Sequence, residues 1–200
     1  MLSQMQHKAD AYLQVYQEVT NLISTIHDPQ VVMDMVVSRL PELMEVDAAT
    51  IRLLDKGTNQ FVLGAARGVS DEYLSRSTID TDDVMSALLK GKPTARKDID
   101  VYCDHDGCAL ISREGVKSAM SLPIIFKEQT IGLLRLLTKD SRNFSSTEID
   151  FAMSLAEQVG VAISNARLFQ EKERQVRFFS AQREISRLVN STLDLDEILS

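Results

Sequence analysis

The chain has no clustered basic stretch, no long apolar run and only two cysteines among its 200 residues, and each shortage removes a class of function. A formal net charge of -7 without a basic patch argues against a nucleic-acid backbone or an anionic membrane as partner, because both need concentrated Lys and Arg. The longest apolar stretches fall short of the roughly 20 residues that a bilayer-spanning helix requires. The N-terminal MLSQMQHKADAY also lacks the apolar core of a secretory signal. Two cysteines in such a chain are expected to be reduced thiols rather than a bridge, and the setting is read as cytoplasmic. Also missing are GxGxxG, the Walker loop, HExxH and a GxSxG elbow. The domain is therefore read as non-enzymatic.

What is present is an ordinary globular balance, 44% hydrophobic and 26% charged, enough for one domain with extensions. Apolar residues from Met5 to Ile26 recur at helical spacing, and Asp28-Pro29 stops that helix and starts the next. The second helix, about 29–44, is expected to bend or end at Pro41. The period then changes. AATIRLLD and QFVLGAARGV, separated by Lys56-Gly57-Thr58-Asn59, predict a hairpin. A short helix is expected near Asp71 to Arg76 and another from Thr81 or Asp82 to Lys90, ended by Gly91. PTARKD reads as a brief strand, and Ile99 to Ile111 as a loop with one helical turn. SAMSLPIIFKEQTIGLLRLL, residues 118–137, predicts a second hairpin turning at Lys127-Glu128-Gln129.

Ser145 and Ser146 before Glu148 mark a helix start. An apolar stripe follows for some forty residues, longer than one domain needs, so part of the helix is expected to project. Glu18-Val19-Thr20-Asn21-Leu22-Ile23 matches Glu184-Ile185-Ser186-Arg187-Leu188-Val189, and Asp28 with Val32 matches Asp194 with Ile198. This predicts that a second copy of the domain begins near the end of the chain. The order of elements predicts an α+β fold, an antiparallel sheet with helices on one face.

The run Gly115-Val116-Lys117-Ser118-Ala119-Met120-Ser121-Leu122-Pro123-Ile124, then Ile131-Gly132-Leu133-Leu134 and Phe144-Ser145-Ser146-Thr147-Glu148, resembles the second half of a GAF domain. LAEQVGVAISNARLFQE is similar to that family's last helix. The resemblance implies a sheet of five or six antiparallel strands, terminal helices on one face and a loop-covered small-molecule pocket on the other. It also implies a sensory or regulatory module feeding an output domain such as a histidine kinase, a cyclic-dinucleotide enzyme or a transcriptional activator. The expected division is 1–17 signalling helix, 18–170 GAF-like domain, and 171–200 linker helix with the start of a second repeat.

No ligand is specified by the sequence, and the cofactor stays open. Cyclic-nucleotide members carry Asn-Lys, Phe and Asp-Glu where this chain has Thr138-Lys139, Phe144 and Glu148-Ile149, so that ligand is disfavoured, and helix capping accounts for Glu148. Cys103-Asp104-His105-Asp106-Gly107-Cys108 has metal-ligating groups but no second pair to complete a site. Bilin-binding members place a histidine after their cysteine where this chain has Ala109. Methionine-sulfoxide-reducing members carry flanking residues not evident here. Cys103 and Cys108 could instead serve a thiol-based redox sensor or a cysteine-dependent enzyme. The bland reading is a polar loop over the pocket.

Arg52, Arg67 and Arg96 are candidate anion ligands, since guanidinium matches carboxylate and phosphate, against the commoner role of solvated strand residues. Asp98, Cys103, His105, Cys108, Ser118 and Ser121 complete the candidate lining. The stripes Tyr12, Val15, Val19 and Leu22, and Ala152, Leu155, Val159, Ala162, Ala166, Phe169 and Val176, predict a homodimer through the terminal helices that passes a state onward. The competing reading is a ligand-free dimerisation spacer.

Overall fold

The computed structural model describes residues 2–25, 28–55, 57–58, 60–75, 82–99 and 111–198. The chain forms two units, Met1–Ile163 and Ser164–Ser200. In the first, α1 (Leu2–Thr25) and α2 (Pro29–Met44) precede β1 (Ala48–Asp55) and β2 (Gln60–Arg67). Then come α3 (Asp71–Leu74), α4 (Asp82–Leu89), β3 (Thr94–Arg96), β4 (Ser118–Phe126) and β5 (Gln129–Thr138). The last helix, α5, spans Ser146–Ile198 and runs from the first unit into the second.

The local reasons are those the sequence offers. The Asp28 carboxylate accepts the Gln30 N–H at 2.9 Å and Pro29 opens α2, so an orphan donor is satisfied and a residue needing no donor starts the helix. Pro41 does not end it. It sits in the last turn, where the missing N–H costs one bond, and left-handed Glu45 at φ 53° closes the helix back onto the Pro41 carbonyl. Ser145 and Glu148 form the expected capping box: the Ser145 N–H donates to Glu148 at 2.9 Å and the Glu148 N–H to Ser145 Oγ at 3.3 Å.

The strands form one antiparallel sheet in the order β2-β1-β5-β4-β3, the expected α+β architecture. The β4–β5 turn is one residue tighter than predicted, because Gln129 pairs with Phe126. Lys127 and Glu128 carry it alone at φ 48° and 64°, and left-handed backbone at both central positions matches the twist of the flanking strands.

Strand alternation divides the sheet. Ala49, Ile51, Met120, Leu122, Ile124, Leu134 and Leu136 point to one side and pack with residues of α1, α2 and α5 in the main core. At Gly160 α5 comes so near β4 that a Cβ would lie 2.5 Å from the Ile125 carbonyl oxygen. Gly160→Ala must push helix and strand apart. A loss of about 1–3 kcal/mol in urea unfolding is expected, and a variant as stable as the parent would show that this contact is not tight in solution.

Much of the two helical stripes packs within the chain. Val19, Ala152, Leu155, Val159 and Ala162 belong to the chain's own core, with Val15 and Leu22 packed against it. Tyr12 stacks on Phe151 with ring centroids 3.9 Å apart, and burial pushes its hydroxyl pKa up to about 12. Ala166 is also buried. Periodicity identifies an apolar face but not what covers it, and here most of the proposed dimer seam is spent inside one chain. Phe169 and Val176 remain exposed at 46% and 64%, along with Leu168, Phe178 and Phe179.

At 53 residues α5 exceeds the expected length, and it continues through Asp194 without the break seen at Asp28. Among the described residues, no helix is long and apolar enough to cross a membrane.

Candidate functional site

The other face of the sheet is differently made. Two small apolar clusters lie on it: Ala48 and Leu137 with Tyr73, Ile99, Ile111 and Val116, and Leu133 with Phe61, Val84 and Leu88. Between these stand Thr50, Arg52, Ser121 and Arg135, all nearly inaccessible, with each arginine only 6% exposed. Register explains the grouping. Arg135 of β5 lies opposite Thr50 of β1 and opposite Ser121 of β4. Arg52 pairs with Leu133, which makes it the diagonal neighbour of Arg135, a relation that sets backbones about 7–8 Å apart.

The side chains interlock. Arg135 Nε donates to Ser121 Oγ at 3.1 Å, and Arg135 Nη1 to the Tyr73 hydroxyl at 3.2 Å. Arg52 Nη2 donates to the Leu74 carbonyl at 3.1 Å. Helix α3 supplies two of these three acceptors, Tyr73 and Leu74, and Ser70 caps it by accepting the Tyr73 N–H at 3.2 Å. Burial lowers the Arg52 pKa from its ordinary value, Tyr73 opposes that, and the like charge of Arg135 adds to it. Charge removed from water is costly unless it is paired or hydrogen-bonded, and the bonds to Leu74, Tyr73 and Ser121 help hold these two guanidinium groups on the buried face. Guanidinium and hydroxyl groups are the side chains that suit an oxyanion, and this face gathers two of each on neighbouring strands.

Only some of the predicted site residues meet here. Arg52 and Ser121 do. Ser118 does not: it lies one residue out of phase with Ser121, on the helix side, where its Oγ donates to the Asp140 carbonyl and accepts the Arg142 N–H, both at 3.0 Å. Arg67 sits at the end of β2, 4.0 Å from Glu42 of α2. Arg96 on edge strand β3 is ion-paired with Asp83. Asp98, in left-handed backbone at φ 53°, accepts the Ser141 hydroxyl. These residues fasten segments to one another rather than join Arg52. Cys103, His105 and Cys108 lie outside the described residues. Among the described residues, no group of three His, Cys, Asp or Glu side chains is placed to hold a metal.

Sequence reasoning missed Thr50, Tyr73 and Arg135. Arg135 had a legible signal, a lone cation inside the apolar run IGLLRLLT, where a buried strand normally excludes charge. Tyr73 had none, since its short helix sits in the least periodic part of the chain.

An antiparallel sheet sealed by helices on one face, with buried polar groups and short helices on the other, defines an α+β domain with two unlike sheet faces. The matching family is the GAF domain, over residues 26–164, and the chain belongs to that family. GAF domains are sensory and regulatory modules. No curated protein matches the sequence. Solved structures share the fold. The GAF domain of a phosphoenolpyruvate-protein phosphotransferase from Coxiella burnetii superposes with a TM-score of 0.68 at 20% identity, covering 82% of this chain and 98% of that one. Its Acinetobacter counterpart gives 0.67 at 20% identity, covering 82% and 95%. The free methionine-R-sulfoxide reductase of Neisseria meningitidis, solved with its substrate, gives 0.65 at 18% identity, covering 78% and 90%.

Proposed function

We propose that this chain is a non-catalytic sensory GAF domain. It binds a small molecule over the sheet face that carries Arg52 and Arg135. It relays the bound state through helical homodimerisation to an output domain such as a histidine kinase, a cyclic-dinucleotide enzyme or a transcriptional activator. The observation that carries this reading is the contrast between the two faces of one sheet. One is apolar and sealed by α1, α2 and α5; the other buries guanidinium and hydroxyl groups where apolar side chains would be more stable.

The relay is supported by the apolar side chains left uncovered on α5. Phe169 and Val176 are one heptad apart, Phe179 follows three residues later, and all are exposed. This periodicity suits a parallel helix pair. In sedimentation at tens of micromolar the chain is expected to be a dimer, and Val176→Asp and Phe179→Asp to shift it to monomer by at least tenfold in Kd with unchanged helical circular dichroism. A monomeric parent chain sinks the relay. Native mass spectrometry of protein from its own host tests the binding half directly, by the mass that travels with the folded chain.

A further inference from the structure

We infer that the face of α5 carrying Phe178 is an interaction surface whose partner is a domain of this same fold, for which α5 serves as first helix in the way that α1 serves the domain described above. This surface is separate from the seam of Phe169, Val176 and Phe179, and it does not depend on that seam closing.

The match between the two ends of the chain reaches further toward the N-terminus than Glu18 and Glu184. At the same offset Tyr12 corresponds to Phe178, Leu13 to Phe179 and Val15 to Ala181. In α1 these positions divide into covered and bare. Tyr12 is 9% exposed and stacks on Phe151, and Val19 is fully buried in the main core, whereas Leu13 is 56% exposed. The Tyr16 hydroxyl accepts a bond from Gln158 Nε2 at 2.9 Å, and Glu18, repeated as Glu184, lies 3.7 Å from Arg39 of α2. One face of α1 is therefore covered by α2, the sheet and the beginning of α5. The counterpart of Tyr12 has lost that cover: Phe178 is 66% exposed.

Helical phase separates this face from the seam. At 3.6 residues per turn Phe178 lies about 160° from Val176 and about half a turn from Phe169. A parallel pair closed over those two residues leaves Phe178 outside. The Phe178 and Phe179 rings meet edge to face with centroids 6.0 Å apart, and that contact leaves most of Phe178 bare. Two adjacent phenylalanines thus belong to different faces, as Tyr12 and Leu13 do.

The kind of partner follows from what covers α1. In sequence Ile185 and Leu188 stand where α1 has Val19 and Leu22, and Asp194 stands where Asp28 caps α2. Asp194 with Glu197 three residues on, before Ile198 and Leu199, is also a helix-start signature. The segment therefore carries both the apolar spacing of a first helix and the cap of a second. Helix α5 runs on through Asp194, because helices are stabilised chiefly by packing and a bend there gains nothing until a core is present to bury both arms.

The experiment uses the layer already at hand. Residues 178–193 are grafted in place of residues 12–27 of the full chain, which puts Phe178 at the Tyr12 position and Ile185 at the Val19 position. A control graft of residues 176–191 at the same place puts Arg183 into the fully buried Val19 position, where an unpaired charge is costly. The in-register graft is expected to unfold cooperatively in heat and to melt at least about 10 °C above the control. Phe178→Ala within that graft should lower Tm by at least about 5 °C, while Phe178→Ala at its own place in the parent chain leaves Tm unchanged. An in-register graft that melts no higher than the control overturns the inference, and so does a graft indifferent to Phe178→Ala. Sedimentation of Phe178→Asp in the parent chain tests the surface without any graft. The dimer Kd is expected to change less than about twofold, against the tenfold or more expected of Val176→Asp. A tenfold shift from Phe178→Asp would mean that a second copy of the chain covers this face, which overturns the assignment to a further domain. A monomeric parent removes the seam alone, and the graft comparison then judges this surface by itself.

Discussion

Replacing Leu155 with alanine is expected to lower the unfolding free energy by about 2–5 kcal/mol, the range for removing a large aliphatic side chain from a packed core. Leu155 is fully buried on α5 among Val36, Leu40, Leu122, Leu134 and Val159. It therefore lies where both terminal segments meet the sheet. Strands in register hold the far wall of the cavity, and backbone hydrogen bonds resist their collapse into it. Urea unfolding should show a lower midpoint with an unchanged slope, and the melting temperature should fall by on the order of 5–15 °C. A loss below about 1 kcal/mol would mean that α5 does not seal the sheet as described.

The second large effect is expected at Arg142. Its Nη1 donates to the carbonyls of Met44 and Glu45 at 3.1 and 3.3 Å, and its Nη2 lies 2.6 Å from Glu148 Oε1. The guanidinium sits 4.8 Å over the Phe144 ring. One side chain thus ties the C-terminus of α2 to the N-terminus of α5, while Glu148 also caps α5. Side-chain exposures of 22% for Arg142 and 12% for Glu148 mean that Arg142→Ala leaves a largely desolvated carboxylate and two carbonyls without their cation. About 2–4 kcal/mol should be lost. Arg142→Lys should restore only part of it, because an ammonium cannot reproduce the planar fork. In a double-mutant cycle with Glu148→Ala, a coupling of at least about 0.5 kcal/mol is expected, and strict additivity would show that the pair does not interact in solution.

Legibility from sequence followed the strength of local signals. AATIRLLD is β1 to the residue, because apolar alternation and a turn sequence bracket it. The β4–β5 turn came out one residue too long, since Lys127 and Glu128 are not residue types that announce positive φ, and only pairing pressure from both strands places them there. Pro41 misled because its effect depends on distance from the helix end, which composition does not reveal. The stripes on α1 and α5 were found correctly as apolar faces, yet the same spacing serves an intrachain core and an interchain seam alike. On the buried polar face, Arg52 and Ser121 were legible as polar residues in strands. Arg67, Arg96 and Ser118 look the same in sequence, and register and tertiary pairing alone separate them. The loop with Cys103, His105 and Cys108 lies outside the described residues.

The alternation of β1 has a consequence for how such a protein can change. Ala49, Ile51 and Leu53 serve the main core, while Thr50 and Arg52, interleaved with them, face the other way. The residues of the buried polar face and those of the main core are therefore different letters of the same short word. Substitutions at 50, 52, 121 and 135 can alter that face while the main core keeps its packing. Gly132 is the exception: a Cβ there would come 2.6 Å from the carbonyl oxygen of Arg52, so it constrains the backbone beneath that face rather than the side chains on it. Drift at the arginines with constancy at Gly132 is the pattern that descent would leave.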